Sequence, residues 1–173
     1  EGQGRRGSRR VQLLGSGTIL REVLAAAEQL ERDFNVVADI WSVTSFNELR
    51  RDGNDCQRWN MLHPEDEARL SHVETCLRDR DGPVIAATDY VRLYADQIRG
   101  LLPGKHYAVL GTDGFGRSDT REKLRQFFEV DRNHIAVAAM KALADTEAVP
   151  PAKVAEAIRK YGVNPDKPNP ATV

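Results

Sequence analysis

The sequence is short of most features that announce a chemistry. It has two cysteines in 173 residues, Cys56 and Cys76, and they form no C-x-x-C pair. That argues against a disulfide scaffold and fits two free thiols in a reducing compartment. The four histidines, His63, His72, His106 and His134, offer no pair at the i, i+3 or i, i+4 spacing of helical metal ligands. The formal net charge is -1, so nothing draws the whole chain toward nucleic acid or an anionic membrane. No apolar run approaches the ~20 residues of a membrane span. Residues 1–10 lack the apolar core of a secretory signal. Asp55 beside Cys56 supplies no base for a nucleophilic thiol, and nowhere do a nucleophile, a base and an orienting group come together.

What is present reads as one domain. Hydrophobic residues make up 40% and charged residues 29% of the chain, the balance of a soluble globular domain. Arg5, Arg6, Arg9 and Arg10 lie among glycines and a serine, so residues 1–10 read as a basic flexible linker, without aromatics to stack bases. Residues 11–162 read as the folded domain. Pro165, Pro168 and Pro170 mark 163–173 as an extended tail. The chain begins Glu-Gly without Met, which suggests a piece of something longer, cut at a flexible linker.

Four apolar runs, Val11–Leu14, Val36–Val43, Val84–Thr88 and Tyr107–Leu110, read as strands. Helical patterns separate them. Leu20, Val23, Leu24, Ala27 and Leu30 keep the spacing of one apolar face, ending at Asp33 and Asn35. Ser45 and Glu48 have capping-box spacing for a short helix that stops near Asp52-Gly53. Residues 52–63 then read as irregular, with Trp59, Met61 and Leu62 turned inward. His63-Pro64 opens another helix, its acidic Glu65, Asp66 and Glu67 suiting the helix dipole and Leu70, Val73 and Leu77 facing inward. Val91 to Leu101 trace a further helix, stopped by Pro103-Gly104. Asp119 and Glu122 have capping-box spacing for a helix through Phe128. Asp131 caps the next, and Pro150-Pro151 precedes the last, closed by Gly162. Strands alternating with helices predict an α/β fold, a three-layer α/β/α sandwich on a mainly parallel sheet.

Two glycine turns stand out. Gly15-Ser16-Gly17 follows a strand and opens a helix, as in part of the dinucleotide fingerprint. Leu20 replaces the third glycine, which would hold strand and helix apart, and the expected acid, Asp39, sits inside an apolar run. The stretch GTDGFGRSDTRE, Gly111–Glu122, joins a strand to a helix at the strand's carboxyl end, where open α/β sheets meet ligands and partners. Asp113, Phe115, Arg117, Ser118 and Asp119 make it the candidate interface or channel loop. Its amides and Arg117 could also cradle a phosphate, but it lacks the Lys-Ser/Thr ending of a P-loop. An independent nucleotide or small-ligand module is the alternative to a structural domain.

The pieces VQLLGSGTILREVLAAAEQL, DIWSVTSFNELRRDGNDCQRWNMLHP, TDYVRLYADQIRGLLP and VLGTDGFGRSDTREKLRQFFEVD resemble the C-terminal domain of the homodimeric bacterial pyruvate dehydrogenase decarboxylase family. The likeness runs from about Val11 to the end. It implies a transketolase-like C-terminal domain with a sheet of about five strands, one of them antiparallel. It also implies a parent enzyme that uses thiamine diphosphate and magnesium, decarboxylates pyruvate and reductively acetylates the lipoyl group of a dihydrolipoyl acyltransferase. The implied setting is the bacterial cytoplasm, with upstream domains of the same subunit and a second subunit as further partners. The family's diphosphate and metal motif begins Gly-Asp-Gly and ends in paired asparagines. Asp113-Gly114 matches only its start, and Phe115-Gly116-Arg117 departs from it. No catalytic, cofactor or metal residue transfers to this chain, which alone is expected to be inactive.

Overall fold

A computed structural model describes residues 9–173; most of the basic stretch, including Arg5 and Arg6, lies outside them. Four strands, β1 (Arg10–Ser16), β2 (Val37–Val43), β3 (Val84–Ala87) and β4 (Tyr107–Leu110), form one sheet in the order β2-β1-β3-β4. Every neighbouring pair is parallel. The central β1 is buried along Val11–Gly15, as expected where helices cover both faces. The fifth, antiparallel strand implied by the resemblance is not found among the described residues. After β4 the chain runs into helices, and the proline-rich end has too few N–H donors to extend a ladder.

One face carries α1 (Leu20–Phe34), α6 (Arg132–Asp145) and α7 (Pro151–Lys160). Val11, Leu13, Ile85 and Ala87 pack there against Val23, Leu30, Ile135 and Leu143. The other face carries α2 (Phe46–Leu62), α3 (His72–Leu77) and α4 (Arg92–Asp96). There Leu14, Val84 and Ala86 meet Phe46, Val73, Leu77 and Ile98. Alternation along each strand sends successive side chains to opposite layers, so both cores belong to this chain alone. The seven-residue α5 (Arg121–Phe127) closes the carboxyl end of the sheet.

The end of α1 and the start of α6 fall where the sequence puts them, while α6 ends at Asp145, short of Pro150-Pro151. Asn35 ends α1 in the left-handed region at φ 53°, and the Asp131 side chain accepts from the His134 amide at 2.9 Å. The middle of the chain departs from the sequence reading. α2 does not stop at Gly53 but runs on to Leu62. Gly53 is a packing notch, since a Cβ there would lie 2.4 Å from Leu101 Cδ1. Residues 52–62 are therefore helical, and Met61 and Leu62 point outward rather than in. No helix starts at Pro64; α3 begins at His72. Ser71 and Glu74 form its full capping box, which the sequence reading assigned to Ser45 and Glu48. Ser45 accepts from the Glu48 amide, but the Glu48 side chain turns to Arg51 at 2.9 Å. Leu70 is exposed, and the Val91–Leu101 pattern breaks into α4 and a 3-10 turn at Arg99–Leu101.

At the sheet's amino end a polar network closes the structure. Gln12 is fully buried. Its Nε2 donates to Asp39 Oδ2 at 2.8 Å and to the Asp81 carbonyl at 2.9 Å, while its Oε1 accepts from Trp41 Nε1 at 2.8 Å. Arg10 pairs with Asp39 at 2.6 Å. Burial opposes charge on Asp39, but the hydrogen bonds from Gln12 and Arg10 outweigh it and lower its carboxyl pKa. Arg10, read from sequence as the end of a linker, is thus already part of β1.

Candidate functional site

The winding of the sheet reverses between β1 and β3, because β2 lies on one side of β1 and β3 on the other. The loops leaving the carboxyl ends of such strands frame the place where open α/β sheets take ligands. Here they are the turn after β1, residues 88–92 after β3, and the glycine loop after β4.

The last two loops are zipped together. The Thr112 amide donates to the Tyr90 carbonyl at 2.9 Å, and Thr112 Oγ1 donates to the Asp89 carbonyl at 3.0 Å. Asp113 Oδ1 accepts from the Arg92 amide at 3.1 Å, and its other oxygen faces Arg92 Nε at 3.3 Å. Gly111 is needed for this closeness: a Cβ there would come within 2.7 Å of the Tyr90 carbonyl oxygen. Asp113 therefore fixes the loop and is not an unengaged carboxylate. Asp119 is also local, accepting from the Thr120 amide at 2.7 Å. It is Thr120, not Asp119, that caps α5, accepting from the Lys123 amide. Ser118 is exposed. Arg117 lies over the Phe127 ring at 4.5 Å, and Phe115 is 81% exposed.

The chain's end backs this loop. A Cβ at Gly114 would meet the Pro170 carbonyl at 2.6 Å, and Pro170 is buried. Lys167 donates to the last carbonyls of α5, those of Gln126 and Phe127, where a cation offsets the negative end of the helix. The tail is a strap across the loop, not a free extension.

Two surfaces result. On the zipped loops and the start of α4, Tyr90, Leu93 and Phe115 are exposed at 58%, 71% and 81%, with Val91 and Tyr94 also open. Tyr90 and Tyr94 pack edge to face at 4.8 Å. The same loops border a cleft of about 470 Å³, lined by Thr18, Asp89, Thr112, Arg117, Arg121 and Arg125. Beneath it Glu22 is buried and accepts from Arg125 at 2.9 Å and from Arg132 Nε at 3.0 Å. Burial opposes its charge, and the hydrogen bonds and positive charges of Arg132 and Arg125 more than offset that, lowering its pKa. Sequence reasoning did not pick out Glu22, Asp89, Arg121 or Arg125. The spacing Arg117-Arg121-Arg125 was the available signal for the arginines; for Glu22 and Asp89 the fold alone supplies it.

The dinucleotide features do not assemble. Gly15 sits in close contact with the start of α1, where a Cβ on it would lie 2.9 Å from Leu20 Cα, so Leu20 does not hold strand and helix apart. Asp39 pairs in register with Gln12, three residues before Gly15 meets Ser42, and is spent on the amino-end network. Nor do the residues fit a thiamine diphosphate and magnesium site. Asp113 is committed to Arg92, and among the described residues no three His, Cys, Asp or Glu side chains group to hold a metal. Among the described residues, no helix is long and apolar enough to cross a membrane.

Comparison with known proteins follows the same outline. The family described as "Transketolase-like TK C-terminal domain" matches residues 2–131. The chain is 63% identical over 160 residues to the pyruvate dehydrogenase E1 component of Pseudomonas aeruginosa, covering 92% of this chain and 18% of that protein. It is 52% identical over 161 residues to the Escherichia coli K12 pyruvate dehydrogenase E1 component, covering 93% and 18%. The chain thus spans under a fifth of these relatives' length. A solved split-gene transketolase, an inactive beta4 tetramer, superimposes with a TM-score of 0.52 at 15% identity, over 79% of this chain and 40% of that one. Sheet order, helical layers and family match agree: the chain belongs to the transketolase-like TK C-terminal domain family.

Proposed function

We propose that this chain is the C-terminal structural and interface domain of a pyruvate dehydrogenase E1 subunit. The whole subunit would decarboxylate pyruvate and reductively acetylate the lipoyl group of a dihydrolipoyl acyltransferase in the bacterial cytoplasm. Thiamine diphosphate and magnesium would be held by the remainder of the subunit, since the described residues of this chain do not fit them. The high identity to E1 components supports the parent enzyme. Alone, the domain would be inactive.

The observation that carries the interface role is the set of exposed large apolar side chains, Tyr90, Leu93, Tyr94 and Phe115, on the zipped loops and the helix that follows them. Tyr90 and Phe115 stand on loops locked by Asp113–Arg92 and by the Gly111 contact, and Leu93 and Tyr94 stand on α4, whose first residue is Arg92. A rigid platform presenting large apolar groups to water is the form of a docking surface. Its occupants would be the upstream domains of the same subunit and the second subunit of a homodimer. Arg117 and Ser118, at the loop's tip, would line the approach of an acidic substrate or the lipoyl arm. In the full-length subunit, Phe115→Asp with Leu93→Asp should weaken the dimer and reduce turnover, and Arg117→Ala should raise KM. Wild-type dimer stability and turnover in all of these variants would refute the reading.

A further inference from the structure

The cleft bordered by the zipped loops is built differently from the exposed apolar surface. The cleft gathers Arg117, Arg121 and Arg125 with Thr18 and Thr112 around a partly apolar floor of Leu124, Phe128 and Val130. Arg125 is neutralised by Glu22. Arg117 and Arg121 have no carboxylate within ion-pair distance among the described residues. In the same loop, the backbone amides of residues 113–119 have no acceptor among the described residues, although the amides on either side, of Thr112 and Thr120, are bonded. Of this loop, Gly114, Gly116 and Arg117 line the cleft, so amide and guanidinium donors for an anion are available there. One acid shares the lining. Asp89 Oδ2 accepts from Thr18 Oγ1 at 3.0 Å, leaving Oδ1 to accept from a hydroxyl. At about 470 Å³ the cleft falls within the roughly 300–1,000 Å³ of small-molecule sites, and it lies at the point where the sheet's winding reverses.

We propose that this cleft binds a small organic phosphate. Arg121, Arg117 and the amides of the glycine loop hold its phosphoryl oxygens, and a hydroxyl of its body donates to Asp89. An acidic peptide fits less well, because the cleft has the volume of a small-molecule site and offers only two arginines without a carboxylate partner among the described residues. The site shares the glycine loop with the docking surface, but the proposal does not depend on the pyruvate dehydrogenase reading.

Calorimetric titration of the 173-residue chain with glycerol 3-phosphate, at constant ionic strength with a chloride control, tests this. Both sheet faces are covered from within the chain, so the chain can be tested alone. One saturable site is expected. Arg121→Ala, an exposed position outside both cores, should weaken it at least tenfold with an unchanged melting temperature. Asp89→Ala, which removes the acceptor, should lower the affinity for glycerol 3-phosphate relative to that for inorganic phosphate, measured as the ratio of the two dissociation constants. Arg125→Ala is unsuitable because it unpairs Glu22. Absence of saturable binding, or equal binding in Arg121→Ala, overturns the proposal. So does tight binding of a poly-glutamate peptide that glycerol 3-phosphate cannot displace, which would make the cleft a polypeptide site.

Discussion

The two ends of the sheet are opposites. At the amino end, Gln12 uses both ends of its amide, and Asp39, Arg10 and Trp41 are all engaged. Polar groups there are paired with one another, Gln12 fully buried and Arg10, Asp39 and Trp41 half-buried. At the carboxyl end the loops are equally well anchored at their bases, through Asp113 and Gly111, but their tips are open: Phe115, Leu93, Arg117 and Arg121 reach solvent. The lesson is that anchoring and availability are separate. A glycine-rich loop can be rigid where it touches the sheet and still present its outer side chains to a partner.

That contrast can be broken from either end, and the effects should be graded. Gln12→Ala should cost most, about 3 kcal/mol, because it strands the Trp41 donor and leaves Asp39 short of a hydrogen bond; urea unfolding measures it. Gly111→Ala at the open end should cost roughly 2 kcal/mol, since the added methyl meets backbone rather than a movable side chain. It should also increase hydrogen exchange in residues 88–92. Glu22→Gln, beneath the cleft, should cost about 1–2 kcal/mol at pH 7 by weakening charge-assisted bonds to Arg125 and Arg132.

The same carboxylate has a pH signature. Glu22, Asp39 and Asp131 all have folded pKa values below their ordinary ones. Asp33 does too, held down chiefly by its hydrogen bond from Arg32. Each therefore contributes stability that is complete above its unfolded value, near pH ~4, and is lost as pH falls through the folded value. Urea midpoints should be flat from about pH 6 to 5 and drop below about pH 4.5, with a shallower drop in Glu22→Gln. The smallest effect on folding belongs to the exposed apolar surface: Phe115→Ser should change the chain's stability by less than about 0.5 kcal/mol.

Much of this fold was legible in the sequence because local chemistry and tertiary packing agree. β-branched and apolar runs marked the four strands, Asn35 could take the left-handed ending of α1, and Asp131 could cap α6. The reading failed where packing overrode local preference. Asp52-Gly53 looks like a turn, but Gly53 is what lets α2 pass Leu101. Pro64 suits a helix start, yet residues 63–71 are held by contacts back to α2: Arg69 stacks on Trp59 at 3.3 Å, and Asn60 exchanges hydrogen bonds with the Arg69 backbone. At the site, the glycine loop was visible from its composition. The roles within it were not, because Asp113's partner, Arg92, is 21 residues away and the tail that backs Gly114 is further still.

The central claim, that the apolar surface at the carboxyl end is a docking face, is tested most directly by amide hydrogen exchange. The rates in this chain alone would be compared with those of the same residues inside the full-length subunit. Slower exchange at residues 90–94 and 113–117 in the full-length subunit is the expected result. Unchanged exchange there, with new protection confined to the Met61–Leu70 side, would contradict the claim and move the interface to the other side of the molecule.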